Sequence, residues 1–464
     1  MKRLTWIVAL LIIGLWGQPA SAQGLLGGAL TSLTQTLNNL ISGQPHGVIV
    51  RTNLGQGGLQ NVCLLNGCTV VGSLDGNQNA VFLVKPTQQG LVPDLLAAVL
   101  RLVDGILDAE PDQSLQIPPN PTNQTNSNTP PGGLWDRTPV NYYGATVPHG
   151  YVNQPATQIL HLSQAQSAFH VCGSGIVADI DTGVDPNHPA LKSVLLLGYD
   201  FTRNLTGGSE MRDISLSSPP SCSTCAAAFV NQHTAAMVDQ HTAAMVDGNA
   251  YAAFGHGTMV AGVIHLVAPT AKILPLKAFH ADGTGNLSDI LRALYYAVQN
   301  NAKVINMSFD LSQNSTELAN AINYANSHNV ILVASSGNDG LNEVVYPAAF
   351  KNVMGVASTN NQDQRSTFSN YGNQIVWVAA PGEAIITTYP FGFYAAGWGT
   401  SFSSPFVAGA SDLILNMQPQ DGQSQAAWAV SHAKWVAPNM GYGRMDIYWS
   451  LWFLNPIQRL LDSD

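Results

Sequence analysis

The stretch Gly399–Pro405, with the sequence GTSFSSP, places a serine among small residues directly before an apolar run. Two other short stretches precede it along the chain. Asp181–Gly183 (DTG) closes the apolar run 176–180, and Gly255–Gly262 (GHGTMVAG) holds a histidine between glycines. Aspartate, histidine and serine in this order form one of the three known chain orders of a Ser-His-Asp triad. The three stretches together therefore predict nucleophilic catalysis by Ser401.

The chemistry of this residue set depends on the histidine. A serine hydroxyl is a weak nucleophile until a base removes its proton, and a histidine acts as that base when a third group fixes its tautomer. Asp181 ends a strand-like run, and ligands of open parallel sheets collect where strands end. Ser401 begins a helical pattern, whose positive end favours negative charge nearby. We expect Pro405 in the first turn of that helix, where its missing N–H has no intrahelical partner.

The three motifs and their flanking glycines resemble those of the subtilisin-like serine peptidases, over roughly residues 151–454. A sedolisin-type peptidase, which shares the fold, would lack the Gly-His-Gly-Thr motif. The resemblance implies that Ser401 is the nucleophile and that His256 is the general base and then the general acid. It also implies that Asp181 orients the imidazole and stabilises the imidazolium.

The same resemblance implies which residues meet the tetrahedral intermediate and the substrate. Ser335–Gly340 (SSGNDG) matches the oxyanion segment of the family, so Asn338 is expected to donate its side-chain amide beside the Ser401 N–H. An extended substrate would pair with two edge segments. Asp310 stands where the family usually has glycine, so the shape of the pocket for the substrate residue before the scissile bond is left open. Asp339 is nearby in sequence, and the acidity of the two residues favours a basic substrate side chain in that pocket. The implied substrate-binding residues are Gly283, Gly285, Ser308, Phe309, Asp310, Ser335, Ser336 and Gly337.

Apolar strand-like runs alternate with helical patterns through the second half of the chain. This alternation implies a parallel sheet covered by helices on both faces, so we expect an α/β fold with a subtilisin-like sheet. The helical patterns cover 289–300 and 317–329. The strand-like runs are 271–276, 304–308, 330–334 and 353–356.

A small α+β unit is predicted before this sheet. It ends in Glu110-Pro111-Asp112 and resembles the inhibitor-type propeptide of subtilisin-like enzymes, whereas an unrelated small α+β domain is the alternative. As a propeptide, it would place residues 106–117 in the cleft as a product-like inhibitor. Its expected elements are a leucine-spaced helix at 26–40, strands at 48–50, 62–71 and 80–84, and a helix at 95–103.

The N-terminus predicts export. Lys2 and Arg3 precede an apolar run that is followed by small residues at 20–22, as in a cleaved signal peptide; an uncleaved anchor is the alternative. We therefore expect a secreted protein whose linker is cut between the inhibitor and the enzyme. The expected division is a signal peptide at 1–22, a propeptide at 23–117, a Pro/Asn/Thr-rich linker at 118–140 and a peptidase domain at 141–464, with a surface insertion around 203–250.

Composition narrows the class of partner. Charged residues make up 10% of the chain, hydrophobic residues 45%, and the net charge is −10, which suits a loop-rich globular protein without a basic patch. Nucleic acid is therefore excluded as a partner. We expect protein or peptide substrates, the chain's own propeptide as inhibitor, a monomer, and no stable membrane association. The aromatic segment 448–454 is expected to be a packed terminal helix.

The five cysteines of an exported chain predict up to two disulfides and one free thiol. Cys63 and Cys68 are close enough in sequence to bridge a short turn. Cys222 and Cys225 form a Cys-x-x-Cys, which is better explained as a loop staple than as a redox or zinc motif. Cys172 is then the unpaired residue.

Three features depart from the family pattern or leave alternatives open. The helix after His256 runs directly into Val267-Ala268-Pro269, so the loop that carries a tight calcium site in many secreted subtilisins is missing. We therefore expect no required cofactor, and weak calcium sites are left open. Asp179 faces the same way as Asp181 and needs a hydrogen-bond partner, a retained proton or water. The tandem repeat at 232–247 favours a duplicated surface loop over a His/Asp metal site.

The sequence therefore predicts a secreted, self-processing serine endopeptidase that acts through an acyl-enzyme. A catalytically silent secreted binding protein on the same fold, with its cleft blocked by the insertion, is the rival interpretation. The complete triad and Asn338 favour the enzyme, because function must be argued from the site rather than from the fold.

Overall fold

The computed structural model describes most of the chain. The described residues are 47–76, 78–88, 91–117, 131–214 and 251–455, with two short strands inside 228–237. Predictions for the signal peptide, the leucine-spaced helix, most of the linker, the tandem repeat and the Cys222–Cys225 pair lie outside these residues.

A small domain with its own core opens the described chain. Its strands form one antiparallel sheet in the order β2-β3-β1-β4, and its two helices pack on one face over Leu59, Phe82 and Leu96. The elements are β1 (Val48–Thr52), α1 (Gly55–Asn66), β2 (Cys68–Ser73), β3 (Val81–Pro86), α2 (Pro93–Leu100) and β4 (Ile106–Pro111).

The expected strand at 62–71 is wrong, because α1 continues to Asn66 and β2 begins only at Cys68. Gly67 separates the two elements in a left-handed conformation, with φ 68°, which ends the helix in the way that glycine commonly does. The predicted Cys63–Cys68 disulfide is confirmed, and it spans this turn. Cys172 is a free cysteine, as expected.

The large domain is built on an eight-stranded sheet in the order β10-β9-β13-β8-β15-β16-β17-β18. All neighbours are parallel except β10, which pairs antiparallel with β9 at one edge. Before and between these strands lie β5 (Ser114–Gln116), β6 (Pro139–Tyr142), β7 (Ala145–Pro148), α3 (His149–Val152), α4 (Pro155–Ile159) and α5 (Leu162–Phe169). The first sheet strands are β8 (Ile176–Asp181), β9 (Tyr199–Asp200) and β10 (Leu205–Thr206), followed by the short strands β11 (Ala228–Phe229) and β12 (Ala236–Met237).

Helices cover both faces of this sheet, which confirms the predicted α/β class. Side chains alternate between the faces along each strand. Val177 and Val333 face one core with α6 and α9, whereas Ile180 and Leu332 face a second core with α7 and α8. The elements that follow β12 are α6 (His256–Val267), β13 (Lys272–Lys277), β14 (Thr284–Asn286), α7 (Leu287–Gln299), β15 (Val304–Met307), α8 (Thr316–Ser327), β16 (Ile331–Ser335), β17 (Met354–Thr359), β18 (Val378–Pro381), β19 (Ile385–Tyr389), β20 (Phe393–Gly397), α9 (Thr400–Met417), α10 (Gln423–Val430) and α11 (Ile447–Leu454).

The terminal aromatic segment forms helix α11, as predicted. Leu451 is fully buried against the main core, and the aromatic rings of Trp452 and Phe453 contact each other 4.9 Å apart. Within the described part of the chain, no helix combines the length and apolar character needed to cross a bilayer.

The small domain lies on helices α7 and α8 of the large domain. Glu110 accepts hydrogen bonds from the backbone N–H of Thr316, at 3.1 Å, and from the hydroxyl of Ser315 at the start of α8. Asp112 accepts from the N–H and the hydroxyl of Ser288, at 2.8 and 2.7 Å, in the first turn of α7. The two acidic residues of the Glu-Pro-Asp phrase therefore cap two helices that belong to the other domain.

Candidate active site

Asp181 and His256 form a buried hydrogen-bonded pair. Asp181 is the last residue of β8, and His256 is the first residue of α6. The imidazole Nδ1 lies 2.7 and 2.9 Å from the two carboxylate oxygens of Asp181. This contact places the imidazole proton on Nδ1 and leaves Nε2 as an acceptor, and Nε2 is buried without a hydrogen-bond partner among the described residues.

Close backbone packing sets the position of this pair. A Cβ atom on Gly257 would overlap the carbonyl oxygen of Gly183, so the turn after Asp181 and the first turn of α6 touch only because residue 257 is glycine. The hydroxyl of Thr182 accepts the N–H of Gly257 at 3.0 Å and joins the same two segments. The motif glycines that the sequence showed beside the aspartate and the histidine therefore allow the two side chains to meet.

Ser401 lies in the first turn of α9, and its neighbour Phe402 packs on the His256 ring with centroids 5.8 Å apart. The Ser401 hydroxyl donates to the carbonyl oxygen of Ser308, at 3.3 Å. Pro405 lies inside the helix rather than in its first turn, which corrects the sequence expectation. The Ser401 carbonyl that loses its helical donor accepts instead from the Ser308 hydroxyl, at 3.0 Å, and this replaces the missing bond.

Asn338 follows β16 and lies against the start of α9. Its side-chain oxygen accepts from both the N–H and the hydroxyl of Thr400, at 2.9 Å each. This pair of bonds fixes which end of the amide is the donor, so the Asn338 NH₂ is directed away from Thr400 and is able to donate. The first-turn N–H of Ser401 has no acceptor within its helix. The sequence resemblance implied these two groups as the donors to the oxyanion, and that role stays a prediction.

Glu210 joins the elements that carry Asp181 and His256, and the sequence motifs did not reveal it. Its fully buried carboxylate accepts the N–H of Gly255 at 2.7 Å and the hydroxyl of Thr182 at 3.1 Å. Its other oxygen accepts the hydroxyl of Thr258. Burial raises the pKa of Glu210 above its ordinary value. Glu210 precedes the part of the insertion outside the described residues, and no motif there marks it as an acid beside the site.

Asp179 points toward the same region from two residues earlier on β8, as the strand period predicted. One of its oxygens accepts from the Asn306 amide at 3.1 Å, and the other has no partner among the described residues. The same amide donates to the Ser308 hydroxyl at 2.9 Å, and its oxygen accepts from Ser404 at 2.7 Å. Burial raises the pKa of Asp179 well above its ordinary value, and the charge of Asp181 raises it further. Of the open alternatives, a hydrogen-bond partner is present, and the raised pKa favours a retained proton.

The two expected substrate edges flank this centre. Strand β5 is paired antiparallel with β14, with Leu115 opposite Gly285, and the Ile117 N–H donates to the Gly283 carbonyl at 2.8 Å. On the other side, the Ser335 hydroxyl contacts the Phe309 carbonyl at 3.4 Å. The Phe309 ring is buried against Phe279, so its side chain belongs to the core. Ser336 and Gly337 bond to Asn370 behind the site.

The family comparison agrees with this geometry. The model of the Subtilase family of peptidases matches residues 173–440. The chain belongs to the subtilase family. The subtilase is therefore a subtilisin-like serine peptidase by family. Thermitase from Thermoactinomyces vulgaris is 34% identical to it over 266 residues, which cover 57% of this chain and 84% of thermitase.

Further relatives extend the comparison. The Thermophilic serine proteinase of Bacillus sp. (strain AK1) is 33% identical over 277 residues, and the subtilase spans 60% of that protein's length with 59% of its own. Fervidolysin from Fervidobacterium pennivorans, a keratinolytic enzyme related to subtilisin, superposes with a TM-score of 0.64 at 21% identity, over 89% of the subtilase and 62% of fervidolysin. This last likeness concerns the fold alone.

Proposed function

We propose that this chain is a secreted serine endopeptidase that processes its own precursor and hydrolyses peptide bonds in proteins through Asp181, His256 and Ser401. The observation that carries the proposal is the buried Asp181–His256 pair, whose Nε2 has no partner among the described residues while Phe402, next to Ser401, packs on the ring. An imidazole held in this way is ready to accept a serine proton.

In the proposed reaction, the Ser401 hydroxyl leaves its weak contact with Ser308 and gives its proton to His256 Nε2 as its oxygen attacks the substrate carbonyl. The Asn338 NH₂ and the Ser401 N–H donate to the oxyanion, and Asp181 stabilises the imidazolium. The imidazolium then gives its proton to the leaving amine, and an acyl-enzyme forms. Water attacks the ester by the reverse sequence and releases the second product.

The contact between the small domain and the cleft supports its role as a propeptide. Strand β5 pairs with β14 in the manner of an extended substrate, and Glu110 and Asp112 attach the same domain to α7 and α8. A segment that fills the substrate edge excludes other chains from it. Removal of this segment, by cleavage between Leu115 and Tyr151, is the proposed activation step.

Labelling with a serine-directed phosphonofluoridate tests the mechanism. We expect the mass of the Ser401 peptide to rise by one phosphonyl group, and the Ser401→Ala protein to stay unlabelled and to lose about 10⁶-fold in turnover. A silent binding protein would take up no label. Expressed without other proteases, Ser401→Ala should also accumulate as a precursor; maturation to the wild-type N-terminus in that variant would rule out self-processing.

A further inference from the structure

The Asp310 carboxyl group is an acid beside the reaction centre that the proposed mechanism does not use. Its Oδ2 atom is buried and has no hydrogen-bond partner among the described residues. The same atom lies 3.1 Å from the point where a Cβ would stand on Gly337, the residue before Asn338. A buried carboxyl oxygen without a partner is unfavourable, so a site that keeps one is suited to a ligand that supplies the partner.

The path of a substrate side chain leads to this group. The attacked carbonyl carbon must lie near Ser401 Oγ, and its oxygen must lie near the Asn338 amide. Ser401 Oγ is 3.3 Å from the carbonyl of Ser308, two residues before Asp310. The side chain on the attacked residue therefore leaves the reaction centre between the segment of Ser308 and the segment of Gly337. Residue 337 is glycine and places no side chain of its own between the reaction centre and the Asp310 carboxyl group; the Asn370 amide, close to the same Cβ point, borders this space.

The charge around Asp310 selects the kind of partner. Burial and, to a lesser extent, the charge of Asp339 together raise the pKa of Asp310 to about 7. Asp339 receives a hydrogen bond from the Asn370 amide, at 3.2 Å, and forms no ion pair within the described chain. A buried acid that has no neighbouring base among the described residues, such as Asp310, favours a cation from the substrate.

We propose that Asp310 selects substrates with lysine or arginine at the residue whose carbonyl is attacked. The long side chain brings its ammonium or guanidinium group to the unpartnered carboxylate. This inference rests on the proposed peptidase function and adds the substrate class to it. The competing outcome is that the Asp310 side chain merely narrows the space. In that case the enzyme favours substrates with alanine at the residue whose carbonyl is attacked.

The test uses the processed wild-type enzyme and four peptide amides that differ only before the scissile bond, with arginine, lysine, phenylalanine or alanine there. We expect kcat/KM for arginine and lysine to exceed that for phenylalanine and alanine by about tenfold or more. Asp310→Asn, which keeps the shape and removes the charge, should lower the arginine-to-phenylalanine ratio about tenfold. Asp339→Asn is the matched control and should change the ratio less than about threefold.

A wild-type preference for alanine or phenylalanine, or an unchanged ratio in Asp310→Asn, would overturn the proposal. A second measurement needs no variant: the arginine-to-phenylalanine ratio of the wild type should rise with pH through about 7, because the carboxyl group gains its charge there. Any effect of pH on the shared chemical step is common to all four substrates and cancels in this ratio. An arginine-to-phenylalanine ratio that does not change with pH would also count against the proposal. Failure of the peptidase function itself looks different, since no peptide is then cleaved and Ser401 takes up no phosphonofluoridate.

Discussion

Replacement of Glu210 by alanine tests whether its carboxylate positions the catalytic pair. The change removes the acceptor of the Gly255 N–H and of the hydroxyls of Thr182 and Thr258. Each buried donor left without a partner costs about 1–3 kcal/mol, so we expect the free energy of unfolding to fall by about 3 kcal/mol or more. The first turn of α6 then loses its link to the turn after Asp181. A displacement of about 1 Å at a catalytic group lowers turnover about 100-fold, which is the loss we expect in kcat.

Glu210→Gln and Asp412→Ala are the matched variants. The glutamine keeps an oxygen that accepts from Gly255 and Thr182. Burial already favours the protonated, uncharged form of Glu210, so the neutral amide of glutamine replaces that form with little change in charge or shape. We expect its kcat within about fivefold of the wild type, since the Gly255 N–H and the Thr182 hydroxyl keep their acceptor and the Thr258 hydroxyl can accept from the new amide. Asp412 is an equally buried acid that accepts two backbone N–H bonds, from Ser174 and Gly175, about 16 Å along α9 from Ser401.

The assay combines urea unfolding with kcat and KM for one peptide amide, measured on each variant. Asp412→Ala should lose stability much as Glu210→Ala does and keep its kcat. A low-field NMR signal of the proton between His256 and Asp181 gives a second readout, which should shift or broaden only in Glu210→Ala. The reasoning is refuted if Glu210→Ala loses stability but keeps both its kcat and this signal, because Glu210 would then support the fold alone.

Three further predictions follow from the site and its surroundings. Asn338→Ala should lower kcat by the roughly 10²–10³-fold known for such a donor in subtilisin, with KM nearly unchanged, and a raised KM at unchanged kcat would contradict the oxyanion role. Chelation of calcium should leave Tm nearly unchanged, since α6 runs to Val267 without the calcium loop, and a fall by tens of degrees would reveal a strong site. Arg137 is the sole lysine or arginine between Leu115 and Tyr151. If the enzyme cuts after a basic residue, Arg137→Gln should block maturation in this segment, and sequencing of the mature N-terminus checks this.

Local sequence patterns predicted the sheet and the meeting of Asp181 with His256 because the information for both is short-range. The apolar run before Asp181 and the glycines around His256 each act within a few residues, and the structure shows the strand end and the close contact that they permit. The same holds for the Cys63–Cys68 turn.

What the sequence did not predict depends on contacts between distant residues. Glu210 meets Gly255 across the insertion, and nothing in the neighbouring residues signals that contact. Pro405 breaks the local rule for helices, and the hydroxyl that compensates comes from Ser308, on a different element. Asp179 could be placed on the right face from its spacing, but its partner, Asn306, is chosen by strand order. Sheet order is a property of the whole fold, which a single stretch of sequence does not contain.

The carboxylates of Glu110 and Asp112 have a consequence for the timing of the proposed activation. They cap helices α7 and α8 from a segment that, in the proposed maturation, stays covalently joined to those helices only until the linker is cut. Before the cut, the tether holds the small domain at an effective concentration of the order of millimolar. After it, the same contacts belong to two molecules, and their occupancy depends on how far the pair has diffused. Activation would therefore be completed by dilution: the excised domain stays bound where the protein is concentrated and leaves as the enzyme spreads into a larger volume.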